Sequence, residues 1–342
     1  GIGVPAVYYG LRAAIAKLFG PKTPKADKTA QPAEEPKAAL PASLNWTAAA
    51  IAAVIGLAIP VQMVSQTWDD HDRSGRYTTR DFGMNYLNSL DPNAIIFTNG
   101  DNDTFPLWYA QEVEGERTDV RVVNLSYLTT DWYANQLQRA AYEAAPVPTY
   151  ARPLDYAYDK LWMQRLSDPA DSLAALPRDA AKALPEFYAG TSESLKRLRQ
   201  KYSLTNDEST TILADANLYA RLDSAATARA FGRVPAVSDP SKGLTMDLRV
   251  DALPRSASLS TILSFDIIAH SAADGWKRPV YFASTVPATY YMGFAPAMYT
   301  TGMAKQVTPF YNSDSPVIDK AYRNIMSRFR WGGLDSGRKL YL

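Results

Sequence analysis

A long uncharged run constrains this chain more than any other feature of its sequence. Between Lys37 and Asp69 there are 31 consecutive residues without a charge. Residues 44–66 within the run are rich in Ala, Ile, Val and Leu, and a helix of that length rises about 30 Å or more, enough to cross a bilayer core. The alternative is a buried helix of a soluble protein. Basic residues precede the run whereas Asp70 and Asp72 follow it, so the positive-inside rule places the amino-terminal side in the cytoplasm.

Two segments precede this predicted transmembrane helix. Residues 1–19 are largely apolar, with Arg12 and Lys17 towards their end, which suits either the end of a preceding membrane span or a short amphipathic helix. Residues 20–43 are rich in Pro, Ala and Lys and too poor in apolar side chains to bury a core. We therefore expect them to form a cytoplasmic linker. The chain does not begin with Met, and we interpret it as a piece of a longer protein.

Residues 68–342 carry the pattern of an α/β domain. Short apolar runs at 94–97 and 119–125 predict strands that are buried in a sheet. The segments 104–113 and 130–142 predict the helices that follow those strands. A strand, helix, strand, helix succession at this spacing indicates a mostly parallel, Rossmann-like sheet.

A helical insertion is predicted between residues 150 and 254. Its helical segments are, in chain order, 154–166, 171–184, 192–202 and 209–222. After the insertion, the sequence predicts a helix over 258–272 and a further strand of the sheet over 279–286. The predicted fold class is thus α/β: a transmembrane helix followed by an extracytoplasmic domain with a mostly parallel sheet and a helical insertion.

Composition limits the chemistry that the chain can perform. Lys and Arg (36) nearly balance Asp and Glu (35), so a net charge of +1 gives no reason to expect nucleic acid as a partner. The absence of cysteine excludes disulfides, thiol nucleophiles and cysteine-bound zinc. His71 and His270 are the only histidines, and His270 extends an apolar helical stripe, so we interpret it as a core residue. The sequence identifies no cofactor.

Polar residues follow the first predicted strand, where open α/β sheets usually bind ligands. Asn99, Asp101, Asn102 and Asp103 are candidate substrate-binding residues there. Asp101 and Asp103 also fit the carboxylate pair with which nucleotide-sugar glycosyltransferases and haloacid-dehalogenase-type phosphatases hold a divalent cation, so they are candidate metal ligands. The companion motifs of the phosphatases are not found. The alternative is an Asx-rich turn that caps a helix beginning near Thr104.

Two further groups are candidates for substrate binding. Asp70, His71 and Arg73 combine carboxylate, imidazole and guanidinium just after the predicted span. Their alternative role is a solvated, acidic stop at the membrane surface. Arg278 precedes the strand predicted over 279–286, where a cation could receive a phosphate or a carboxylate. The alternative is that the positive charge stabilises the carboxyl end of the preceding helix through the helix dipole.

Four long blocks carry a family resemblance, at residues 68–77, 97–109, 118–127 and 276–282. Across residues 44–331 the chain resembles a family of large multi-spanning membrane proteins of Bacteroidetes-type bacteria, long classified as a domain of unknown function. That family is related to eukaryotic transmembrane protein O-mannosyltransferases. The resemblance implies a polytopic glycosyltransferase of the lipid-donor class, with an extracytoplasmic domain after its spans. The catalytic acid is then expected in an early extracytoplasmic loop outside this chain, so no catalytic residue is assigned here.

Two functional hypotheses follow. In the first, the chain is the carboxyl-terminal portion of an inner-membrane glycosyltransferase that uses a polyprenyl-phosphate sugar donor and an acceptor protein. Its periplasmic domain would bind acceptor or donor, or brace the membrane core. In the second, it is a membrane-anchored recognition module without catalysis. Besides the lipid bilayer, the expected partners are therefore the donor and the acceptor. A separate hypothesis gives the domain a metal-dependent hydrolase activity of its own.

Overall fold

A computed structural model of the protein divides the chain into two compact units, Gly1–Arg76 and Tyr77–Leu342. The residues that the structure describes are 3–19, 42–157, 162–165, 178–189, 200, 210–213, 218–253, 256–311 and 318–332. Residues 20–41, which include most of the predicted linker, lie outside them.

The first unit consists of two helices that pack against each other, α1 (Gly3–Phe19) and α2 (Ala42–His71). Within α2, the stretch Asn45–Trp68 is long and apolar enough to cross a membrane. Large apolar side chains project from it into the surroundings, among them Val54 and Ile59, which are 68% and 63% exposed. Such a surface suits contact with lipid. The apolar helix that the sequence predicts is therefore confirmed, and it is a few residues longer at both ends.

The second unit is a mixed α/β domain. Its helices are α3 (Thr78–Asn88), α4 (Asp101–Glu112), α5 (Asp131–Leu137), α6 (Pro153–Tyr156), α7 (Ala180–Ala189), α8 (Ser224–Phe231), α9 (Leu259–Ala273) and α10 (Ile318–Ser327). Its strands are β1 (Ile95–Thr98), β2 (Arg121–Asn124), β3 (Trp162–Arg165), β4 (Arg178–Asp179), β5 (Thr210–Leu213), β6 (Leu218–Arg221), β7 (Thr245–Asp247), β8 (Ser256–Ala257), β9 (Val280–Ala283), β10 (Met298–Thr300) and β11 (Ala304–Val307).

The main sheet has five strands in the order β10-β11-β9-β1-β2. The strands β9, β1 and β2 run parallel, whereas β11 is antiparallel to β9 and β10 is antiparallel to β11. Every residue of the three parallel strands is buried, as expected where both faces of a sheet are covered. The predicted mixed α/β fold and the strand-helix-strand unit of β1, α4 and β2 are confirmed.

Two of the four helices predicted in the insertion need correction, whereas the helix predicted over 192–202 lies outside the described residues except for residue 200. Two small sheets, β5-β3-β8 and β4-β6-β7, lie in this part of the sequence. Thus 162–165 is a strand where the helix 154–166 was predicted, and 210–213 and 218–221 are strands where the helix 209–222 was predicted. These Leu-rich and Ala-rich segments favour a helix locally, but pairing with strands distant in sequence overrides that preference.

A partly buried polar network ties the last described helix to the main sheet. The Lys320 ammonium group donates to Asp91 Oδ2 at 2.6 Å, to the Tyr281 hydroxyl at 2.9 Å and to Gln306 Oε1 at 3.0 Å. Burial lowers the pKa of Lys320, and the charge of Asp91 opposes that shift. The three bonds use all the donors of the ammonium group, so this cluster is a satisfied structural anchor.

Candidate functional site

The acidic turn after β1 leads directly into α4. Gly100 has φ of +84°, a conformation that glycine adopts without steric cost, and the chain reverses there into a helix that begins at Asp101. The predicted start near Thr104 is therefore three residues too late. As a result, Pro106 is the sixth residue of the helix and not part of its first turn.

The carboxylate of Asp103 is buried and fixes the start of α4 to the sheet. Its Oδ2 accepts a hydrogen bond from the backbone N–H of Asn99 at 3.0 Å and another from the hydroxyl of Thr285 at 2.7 Å. Thr285 follows β9, so one side chain joins the ends of two parallel strands. Asp101 and Asn102, in contrast, are exposed at this edge. They are the members of the turn that are open to a ligand.

A metal ion would need more ligands than this turn supplies. Among the residues that the structure describes, no group of three or more His, Asp or Glu side chains is placed to hold a metal. Asp101 and Asp103 supply two carboxylates, and Oδ2 of Asp103 already accepts two hydrogen bonds. The metal role of this pair stays a prediction.

Removal of one or the other carboxylate of the turn should have very different effects on the free energy of unfolding. Asp103→Ala should lower the free energy of unfolding by about 2 kcal/mol, because it removes the buried carboxylate that accepts hydrogen bonds from the Asn99 N–H and the Thr285 hydroxyl. Asp101→Ala should change it by less than about 0.5 kcal/mol, as is usual at exposed positions. Urea unfolding of the full chain in detergent measures both. Equal effects of the two variants would contradict this division of roles.

Asn124, at the end of β2, is a second buried residue that organises this edge. Its side-chain amide donates to the Gly100 carbonyl at 3.0 Å and to Thr104 Oγ1 at 2.9 Å. Its Oδ1 accepts from the backbone N–H groups of Ser126 and Tyr127. The loops after β1 and β2 are thereby locked together. In the sequence, this role is indicated only locally, by an Asn at the end of a Val-rich strand.

Four aromatic side chains, here called the aromatic row, lie beside the same edge. They are Phe105 and Trp108 of α4, Tyr127 of the turn after β2, and Trp132 of α5. Successive ring centroids are 5.7, 6.1 and 6.2 Å apart, and Trp108 and Tyr127 are stacked. Phe105 is 45% exposed and Trp132 is 57% exposed. The row presents a partly exposed aromatic surface.

Polar groups of the turn adjoin the aromatic row. Phe105 comes four residues after Asp101 and three after Asn102, so these side chains share one face of α4. Asn99 Oδ1 accepts the hydroxyl of Ser126 at 3.4 Å, which places it between the two loops. The site can therefore bind a ligand that combines an apolar face with a polar rim.

The sequence-predicted residues Asp70, His71 and Arg73 belong to the first unit. All three are exposed. His71 ends α2, and its Nδ1 lies 2.9 Å from the carbonyl oxygen of Thr67. The carbonyl of Asp70 accepts a hydrogen bond from the Arg76 guanidinium at 3.0 Å. These contacts shape the end of the helix and leave the three side chains as predicted ligand groups.

Arg278 is not brought together with the acidic turn. It precedes β9, whose first residue pairs with the start of β1, so Arg278 lies at the opposite end of the sheet from Asp101. Its guanidinium donates to the carbonyls of Asn93 at 3.2 Å and of Ala145 and Pro146 at 2.6 Å each. Burial, followed by the charge of a second arginine, lowers the pKa of Arg278 to about 10.

A family model relates most of the chain to known proteins. The sequence profile described as TMEM260-associated domain 2 matches residues 79–326, well over half of the chain. Neither a curated protein nor a solved structure matches. This relates the chain to TMEM260-like, protein O-mannosyltransferase-related proteins. The chain belongs to the TMEM260-associated domain 2 family.

Proposed function

We propose that this chain is the carboxyl-terminal portion of an inner-membrane glycosyltransferase and that its α/β domain binds carbohydrate. The membership in a TMEM260-associated family supports the link to glycosyl transfer. The donor in this proposal is a polyprenyl-phosphate sugar and the acceptor is a protein. The helix with the apolar stretch Asn45–Trp68 crosses the bilayer, and the domain from Tyr77 onwards lies in the periplasm.

The observation that carries carbohydrate binding is the aromatic row beside the polar turn. A pyranose ring has an apolar C–H face and a rim of hydroxyl groups, and it therefore suits an aromatic surface with carboxylate and amide groups at its side. Trp132 and Phe105 supply the exposed rings. Asp101, Asn102 and Asn99 supply acceptors and donors for hydroxyl groups.

Removal of the most exposed ring should weaken sugar binding. In Trp132→Ala, we expect the affinity for a mannosylated serine peptide to fall at least about tenfold, because aromatic anchors dominate binding energies. Isothermal titration of the full chain in nanodiscs measures the affinity. Trp331→Ala is the matched control, because Trp331 is similarly exposed, at 55%, and follows α10.

Three outcomes of this titration decide the proposal. A selective loss in Trp132→Ala supports it. Unchanged affinity in Trp132→Ala and in Phe105→Ala would overturn the assignment of the surface. The absence of any binding of mannosides by the unaltered chain would overturn carbohydrate binding altogether.

One observation favours recognition over catalysis as the role of the α/β domain itself. The buried carboxylate of the turn, Asp103, already accepts two protein hydrogen bonds, so it is poorly placed to move a proton for a reaction. Both a recognition module and a transferase domain bind the mannosylated peptide, so binding alone does not separate the two functions. Sugar transfer from a polyprenyl-phosphate donor by the complete membrane protein distinguishes the two.

A further inference from the structure

A cavity of about 280 Å³ lies along the outer edge of β2, away from the acidic turn. Trp108 of α4, Tyr133 of α5 and Tyr142 supply aromatic walls. Arg121, the first residue of β2, is among the residues that line the cavity. Aromatic walls around a single cation are typical of a small-molecule site.

Arg121 is buried without a balancing charge. It is 8% exposed, and its Nη2 donates to the carbonyl of Gln136 at 3.1 Å. Its Nε is buried and has no hydrogen-bond partner among the described residues. Glu112 is the one carboxylate among the described residues that line the cavity, but it accepts the hydroxyl of Tyr142 and forms no ion pair with Arg121. Burial lowers the pKa of Arg121, as expected for a desolvated cation.

A second buried arginine lies within electrostatic reach of the first. Arg278 is 7% exposed, and its Nη2 also has no hydrogen-bond partner in the described part of the chain. The charge of Arg121 contributes to the lowered pKa of Arg278. Two buried like charges without a carboxylate destabilise a fold unless something of opposite charge compensates them.

Arg117 shows how this domain satisfies a partly buried arginine when no ligand is involved. Its guanidinium donates to both carboxylate oxygens of Asp119, at 2.7 and 3.0 Å. It also donates to the carbonyls of Leu87, Leu90 and Asp91. Arg121 has one carbonyl partner and no carboxylate in the described structure. The difference marks Arg121 as a cation whose charged partner is not among the described residues of the domain.

We propose that the cavity beside β2 binds an oxyanion group, phosphate or carboxylate, through the Arg121 guanidinium, with Arg278 adding to the positive potential. Arginine suits this role because its planar fork binds two oxygens of such a group at once. The aromatic walls then hold the part of the ligand that carries the anion. The cavity shares Trp108 with the aromatic row. The cation that binds the anion, Arg121, is not part of that row, so either proposal can fail without the other.

The test uses the full chain in nanodiscs at constant ionic strength. Inorganic phosphate and acetate are titrated separately against a chloride background by isothermal titration, to distinguish the two sources of the oxyanion. In Arg121→Gln, we expect the affinity for the preferred anion to fall at least about tenfold, because a charge-assisted hydrogen bond is lost. Arg139→Gln is the control, since Arg139 is an exposed arginine just after α5 and is expected to keep the affinity.

A saturable signal with phosphate or acetate that is lost in Arg121→Gln and kept in Arg139→Gln supports the proposal. Equal affinity of Arg121→Gln and the unaltered chain overturns it, as does the absence of saturable binding of either anion. If Arg121→Gln fails to fold, the unaltered chain decides the matter. The midpoint of thermal unfolding of the unaltered chain must rise with phosphate or acetate but not with chloride at the same ionic strength. An equal response of this midpoint to all three anions overturns the proposal.

Discussion

The domain is expected to lose stability as the pH rises from about 4 to 7, because of one carboxyl group in α9. Asp266 is fully buried, and its two oxygens accept the backbone N–H groups of Tyr150 at 3.0 Å and Ala151 at 2.9 Å. Burial raises its pKa from 3.8 to about 7, although these hydrogen bonds oppose the shift. The folded state thus holds the proton more tightly than the unfolded state does. The stabilisation is complete below pH 3.8 and is lost through pH 7, up to about 4 kcal/mol.

Asp266→Asn isolates this contribution, because the amide does not titrate. The free energy of unfolding of this variant is lowered by the same amount at every pH, since its NH₂ group faces one of the two backbone N–H donors. Relative to the unaltered chain, its free energy of unfolding should rise by up to about 4 kcal/mol between pH 4 and pH 8. Urea unfolding of the full chain in detergent across this range measures the difference.

Ile268→Val is the control for this measurement, because it perturbs the same buried helix without changing a titratable group. Its destabilisation should be about the same at every pH, within about 0.5 kcal/mol. A constant difference between Asp266→Asn and the unaltered chain would show that Asp266 titrates alike in the folded and unfolded states.

The parallel part of the sheet can be read from the sequence because its signals are local. The strands β1, β2 and β9 are short apolar runs bounded by Asn, Gly, Asp or Pro, and such runs are buried on both faces. In contrast, Ala304–Val307 contains Lys305 and Gln306 and has no apolar alternation. It becomes a strand because β9 offers it a free edge, and that edge exists only in the folded domain.

The candidate site shows the same limit. The position of Asp101 and Asp103 after a buried strand is visible in the sequence, and so is the turn at Gly100. The aromatic row is not, because Trp108 and Tyr127 are brought together by the packing of α4 on the loop after β2. One signal does exist for the cavity: Arg121 is a charged residue in a strand that is otherwise apolar up to its last position.

A close backbone contact between α3 and α4 predicts a strongly damaging substitution. Gly83 of α3 faces Pro106 of α4, and a Cβ atom on Gly83 would lie 2.3 Å from the carbonyl oxygen of Pro106 and 2.6 Å from its carbonyl carbon. Since both atoms belong to the backbone, the two helices must separate to admit any side chain. Gly83→Val should therefore lower the free energy of unfolding by about 4 kcal/mol or more.

Gly10→Val makes the matched comparison, because it introduces the same side chain into a helix at a position where a Cβ meets nothing within 4 Å. Valine is a better helix former than glycine, so intrinsic propensity favours both variants slightly. Any large loss that is confined to Gly83→Val must then come from the contact between α3 and α4. If urea unfolding in detergent shows losses within about 0.5 kcal/mol of each other, the close packing at Pro106 does not hold the two helices together.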